Sequence, residues 1–137
     1  MQTASTRWVG EQQFLGSSPS GHAMAMDADS QSNKAPNPME MLLLALGGCT
    51  ASDMVSILEK KRQKLESLVV ECSGERAPDA PRVWTKIDVV FKLRGTLDEI
   101  AVKRTLELTR DKYCSVAAML NKSAEISWKY EIEPPQP

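Results

Sequence analysis

The chain has 137 residues, 42% of them hydrophobic and 26% charged, a balance that fits one globular domain, residues 1–137, around one core. Seventeen basic against eighteen acidic residues give a formal charge of -1, which excludes the usual electrostatic footprint of a nucleic-acid binder or a basic membrane-surface protein. Small molecules or a second copy of the chain are the partners that remain.

The N-terminal stretch MQTASTRWVGEQQF has no apolar run after its arginine, and no segment is expected to approach the roughly 18 apolar residues of a membrane span. A cytoplasmic protein with reduced thiols is the expectation. Two short strands are predicted around Arg7-Trp8-Val9 and Gln13-Phe14-Leu15, followed by the turn-rich GSSPSG and the alternating HAMAMDA, an N-terminal meander. After the loop DSQSNKAPN, Asn37 reads as an N-cap, Pro38 as the first helical residue and Glu40 as the closing member of a capping box. The helix is predicted from Pro38 to about Arg62. Its first half, MEMLLLAL, is apolar on every side, which demands burial in a core or against another subunit. Two glycines, Gly47 and Gly48, then precede Cys49. Each costs about 1 kcal/mol relative to alanine inside a helix, so a close approach to the backbone by a helix or a substrate is the expected reason.

Two long strands follow, joined by APDAP. Leu68, Val70 and Cys72 share one face of the first, and Val83, Thr85, Ile87, Val89, Phe91 and Leu93 one face of the second. Thr96 to Glu99 reads as a capping box opening a second helix that runs to about Lys112. A break at Tyr113-Cys114 precedes a short helix, SVAAMLNK, and a last strand carries Ile126, Trp128, Tyr130 and Ile132 on one face. The order β-β-β-α-β-β-α-α-β segregates hairpins from helices, an α+β arrangement.

No phosphate-binding glycine loop, zinc-protease helix or nucleophile elbow is present. His22, the single histidine, reads as a surface or capping residue of the first sheet, and GSSPSG as a turn. The three cysteines, Cys49, Cys72 and Cys114, contain no C-x-x-C pair, so neither a metal nor a cofactor is expected. Cys72 has a sufficient role as a small buried residue of its strand. Cys114 stands at a helix start, where unpaired N–H groups lower a thiol pKa, whereas Cys49 in mid-helix gets no such help.

KAPNPMEMLLLALGGCTASDMVSILEKKR, KYCSVAAML and the opening TRWV…FLG…SGH together resemble the OsmC/Ohr-like proteins, particularly their YhfA-type branch, over nearly the whole chain. The resemblance implies an α+β fold of antiparallel sheets with a long central cysteine-bearing helix, and an intertwined homodimer. It also implies a thiol pair that reduces hydroperoxides, with Cys49 as the attacking and Cys114 as the resolving residue, regenerated by an external thiol. Hydroperoxide reductases of the family place a glutamate directly after the helix-start proline and an arginine ahead of it. Here Met39 follows Pro38, Glu40 comes one residue later, and Lys34 and Arg7 are the available cations. Two other readings stand beside this one: a dimeric protein binding a small apolar ligand beside Gly47 and Gly48, and a dimer whose thiols merely pack.

Overall fold

The computed structural model describes every residue from Met1 to Pro137. Its contacts gather into two units, Met1–Leu42 and Leu43–Pro137. The first holds the predicted meander: β1 (Ser5–Gly10), β2 (Gln13–Ser17) and β3 (Ala23–Asp27), antiparallel in that order. GSSPSG is the β2–β3 turn, closed by Gly21 N–H donating to the Ser18 carbonyl and Ser18 N–H to that of His22. His22 belongs to this turn, with its Nδ1 3.0 Å from Ser20 Oγ and its own N–H donating to Ser18 Oγ. At the end of β3, buried Asp27 accepts from Asp29 N–H, Ser32 Oγ and Lys34 N–H, gathering the following loop around one carboxylate. Those bonds, Lys34's backbone N–H foremost, hold its pKa below the ordinary value.

Helix α1 spans Pro38–Lys60. Its capping box forms as read: Glu40 N–H donates to Asn37 Oδ1 at 2.8 Å, and Asn37 N–H donates back to Glu40 Oε1 at 3.0 Å. The expectation that no segment reaches the length and apolarity of a membrane span is corrected by this helix. At 23 residues it is long and apolar enough to cross a bilayer by length and composition, because the small residues of GGCTAS interrupt MEMLLLAL without adding charge. In the second unit its Leu46, Thr50, Met54 and Leu58, spaced by four, are fully buried. Thr50 sends its hydroxyl back to the Leu46 carbonyl, so even the buried polar group is satisfied.

The core face of α1 is met by β4 (Lys64–Arg76), β5 (Trp84–Thr96) and β6 (Glu125–Glu133), with β5 central. Ile87, Val89, Phe91 and Leu93 of β5 are buried, while Val83 and Thr85, expected on that face, lie exposed where the strand begins. Ile126, Trp128, Tyr130 and Ile132 pack against this core from β6. β4 and β5 pair antiparallel, but β6 joins β5 in parallel, a correction to an all-antiparallel sheet. The helical crossover between β5 and β6 has the length that a parallel connection requires. Gly95, at φ +151, is pressed against the Lys64 backbone, where a side chain would collide.

Helix α2 (Glu99–Leu108) begins later than read. Thr96 is still in β5, paired with Lys64, and the cap is Asp98, whose Oδ1 accepts from Ile100 N–H at 3.2 Å. A π-helical turn, Thr109–Tyr113, follows; Cys114 leaves it in extended conformation and opens α3 (Ser115–Leu120).

Candidate thiol site

Cys49 and Asp53 are four residues apart on α1 and therefore share one face. Their neighbour is delivered by the π-helical turn, a wide turn that favours functional positions. Cys114 N–H closes it on the Thr109 carbonyl at 2.9 Å, and the extended backbone of Cys114 ends it. The two sulfurs and an Asp53 carboxylate oxygen lie within 4.8 Å of one another. Fully buried Thr109 ties the halves together: its hydroxyl donates to Asp53 Oδ2 at 2.6 Å while its carbonyl holds Cys114 N–H. Asp53 and Thr109 were not singled out from the sequence. The signal for Asp53 is its C-x-x-x-D spacing, one helical turn from Cys49; Thr109, 56 residues from Asp53, had none.

Its place at a helix start does not make Cys114 acidic. Its Sγ does accept from Ala117 N–H at 3.3 Å, as the cap of α3. Burial outweighs that bond, and Cys49 and Asp53 add to the effect, so the thiol is pushed up to about 12. α3 has only six residues to supply a dipole.

Cys72 occupies different ground. Half-buried on β4, its thiol is pushed up to about 11 by burial alone, as befits a packing residue. It is also the sulfur beside the paired glycines: a methyl group at Gly47 would meet Cys72 Sγ at 3.8 Å and the Val70 carbonyl at 3.9 Å, and one at Gly48 would meet nothing within 4 Å. The backbone bared at Gly47 faces Cys72 and that at Gly48 opens onto free space, so the close approach expected of a second helix or a substrate is not made by the chain itself. The chain's own packing tolerates alanine at both. What they open is a hollow of about 320 Å³, walled also by Leu43, Leu44, Ala51 and Val70. Leu44 is 60% exposed at its rim.

Glu40 lies outside the cluster of Cys49, Asp53 and Cys114 and spends its carboxylate on the capping box. Lys34 lies 3.9 Å from the Glu11 carboxylate in the first unit.

Residues 31–129 match the family described as "OsmC-like protein". Protein YhfA of Escherichia coli (strain K12) is 47% identical over 130 residues, covering 94% of this chain and 96% of the relative. Among solved structures, a hypothetical protein from Aquifex aeolicus superposes with a TM-score of 0.89 at 27% identity, covering 99% of this chain and 98% of that one. A Legionella pneumophila protein described as "organic hydroperoxide resistance protein OsmC, predicted redox protein, regulator of sulfide bond formation" shares the fold at a TM-score of 0.64 and 13% identity, with 96% of each chain covered.

Proposed function

The chain belongs to the OsmC-like family, and from that premise we propose that it is a two-cysteine thiol peroxidase acting on organic hydroperoxides. The observation that carries this reading is the meeting of two reduced thiols, 65 positions apart by number, at one point. The Cys49 thiolate attacks the distal peroxide oxygen; the O–O bond breaks, the alkoxide leaves and is protonated to the alcohol, and Cys49 becomes a sulfenic acid. Cys114 sulfur then attacks the sulfenic sulfur, forming the disulfide as hydroxide departs with the thiol proton as water. Two equivalents of an external thiol restore the pair. The redox description of the Legionella neighbour agrees in kind.

The working form in this reading is a cytoplasmic homodimer in which residues 1–137 act as one domain. Leu44 and the bared glycine backbone leave an apolar face of α1 uncovered, which a second copy would bury over more than about 2,000 Å² in total. Glu40 closes the capping box with Asn37, and nine residues of helix are a rise of about 13.5 Å to Cys49, so any role of this carboxylate at a thiolate would be played across the dimer, by Glu40 of the partner subunit. Organic hydroperoxide consumption should exceed hydrogen peroxide consumption in the wild type and vanish in Cys49→Ser. Unmodified Cys49 after excess hydroperoxide would sink the peroxidase, and a monodisperse monomer by light scattering at micromolar concentration would sink the dimer. The hollow of about 320 Å³ supports a second reading, an apolar-ligand protein. It predicts saturable binding of a fluorescent apolar probe that Gly48→Leu abolishes and Cys49→Ser leaves intact.

A further inference from the structure

Two thiol sulfurs and a carboxylate oxygen share one small volume, each within 4.8 Å of the others. The three donors differ in kind, two soft sulfurs and one oxygen, a combination that fits zinc better than magnesium or calcium. We propose that the reduced protein binds one zinc-class cation per chain through Cys49 Sγ, Cys114 Sγ and one Asp53 oxygen, with the fourth position open to water or an incoming thiol.

The geometry is compatible with this assignment. Zn–S bonds of about 2.3 Å and Zn–O bonds of about 2.0–2.2 Å in a tetrahedron put neighbouring donors roughly 3.5–3.8 Å apart. Donors that already lie within 4.8 Å need side-chain adjustments of about an ångström to close on the ion. Cys49 and Asp53 project from the same face of one rigid helix, and Cys114 is fixed by a backbone that cannot continue its π-turn. Outer bonds of the kind that orient ligands are in place: Thr109 Oγ1 to Asp53 Oδ2, which leaves Oδ1 for the ion, and Ala117 N–H to Cys114 Sγ. Sequence spacing conceals the site, since its ligands form C-x-x-x-D plus one distant cysteine rather than paired C-x-x-C. Binding replaces two thiol protons with one dication, and both protons go to solvent. Forming the Cys49–Cys114 disulfide removes two of the three ligands, so oxidation and metal occupancy exclude each other.

The test uses the full-length, reduced, chelator-treated protein without peroxide. Cd²⁺ titration should raise a thiolate-to-metal ultraviolet band that saturates at one ion per chain. Zn²⁺ should displace it without proton release, whereas Zn²⁺ added to the metal-free reduced protein should release about two protons per ion bound. Cys49→Ser and Cys114→Ser should lose the band, Asp53→Asn should weaken binding at least tenfold, and Cys72→Ser should match the wild type. Because a cluster variant can misfold, the wild type supplies an independent measurement: Zn²⁺ should protect Cys49 and Cys114, but not Cys72, from N-ethylmaleimide in the mass spectrum. Absence of the band and of protection at a tenfold excess of Cd²⁺ or Zn²⁺, or a band that depends on Cys72, would overturn the site. The inference requires only reduced thiols, so loss of metal binding with peroxide reactivity intact rejects the site alone. Metal binding without peroxide reactivity rejects the peroxidase alone.

Discussion

Helix α1 is flanked near its middle turn by two thiol environments that share their burial and differ in their neighbours. On one side Cys72 faces Gly47, raised by burial to about 11, with an apolar hollow beside it. On the other, Cys114 faces Cys49, raised to about 12, with Asp53 and Thr109 completing a polar knot. Burial silences both thiols to a similar degree. What separates them is company: Cys114 has a second sulfur to bond, and Cys72 has only walls. Cys49 and Cys114 hold their sulfurs within 4.8 Å of one another, and two sulfurs in reach are what a disulfide requires.

The sharpest way to break this contrast is to count thiols. One equivalent of organic hydroperoxide should remove two of the three free thiols per chain and leave Cys72 reduced; peptide mass spectrometry finding Cys72 in the new disulfide would erase the distinction. Next in size is Thr109→Val, which keeps the shape but withdraws the hydroxyl from a carboxylate. A hydrogen bond to a charged group contributes about 1.5–3 kcal/mol, so the urea midpoint should fall by an equivalent amount, whereas Cys72→Ala on the other flank should cost less than that.

Alkali should act on both flanks. Folded-state pKa values of about 11 for Cys72 and about 12 for Cys114 stand above the unfolded 9.0, so the folded chain holds these protons when the unfolded one has released them. The stabilisation is complete below pH 9, falls as pH rises through that value, and is gone beyond 11 and 12. Chemical denaturation at pH 7, 9 and 10.5 should show that descent, and Cys72→Ala should shallow it. At the other end of the pH scale, Asp27 has the opposite sign: its depressed pKa stabilises above the ordinary carboxylate range and is lost as pH falls through it.

A smaller effect is expected at Gly48, where a methyl group meets nothing within 4 Å of its own chain. Gly48→Ala should stabilise the helix by roughly 0.5–1 kcal/mol while loosening any assembly that uses the bared backbone, read as a higher dissociation constant by sedimentation. Smallest is Glu40→Gln, which can still close the box with Asn37 and should shift stability by less than about 0.5 kcal/mol. An unchanged pH profile of Cys49 alkylation in that variant would end any electrostatic role for the partner's Glu40.

Local signals in this chain were legible where they are short in range. Asn37, Pro38 and Glu40 announced the start of α1, the alternation at Leu68, Val70 and Cys72 announced β4, and GSSPSG announced its turn. Local signals mislead where two elements compete for the same residues. Thr96 looks like a cap three residues before Glu99, yet pairing with Lys64 keeps it in β5, and Asp98 takes the cap instead. The direction of β6 was equally hidden, since alternation gives a strand its faces but not its sense.

Sequence by itself determined the elements, the family and the two cysteines worth watching, because helix caps, periodicity and motif spacing are written within a few residues or in recognisable runs. Only the tertiary structure decided which sulfur lies beside the glycines, that burial overrides the helix-start effect at Cys114, and that Asp53 and Thr109 belong to the same knot. Those facts depend on desolvation and on contacts between α1 and a turn 56 residues further along, quantities that exist only once the chain has closed on itself.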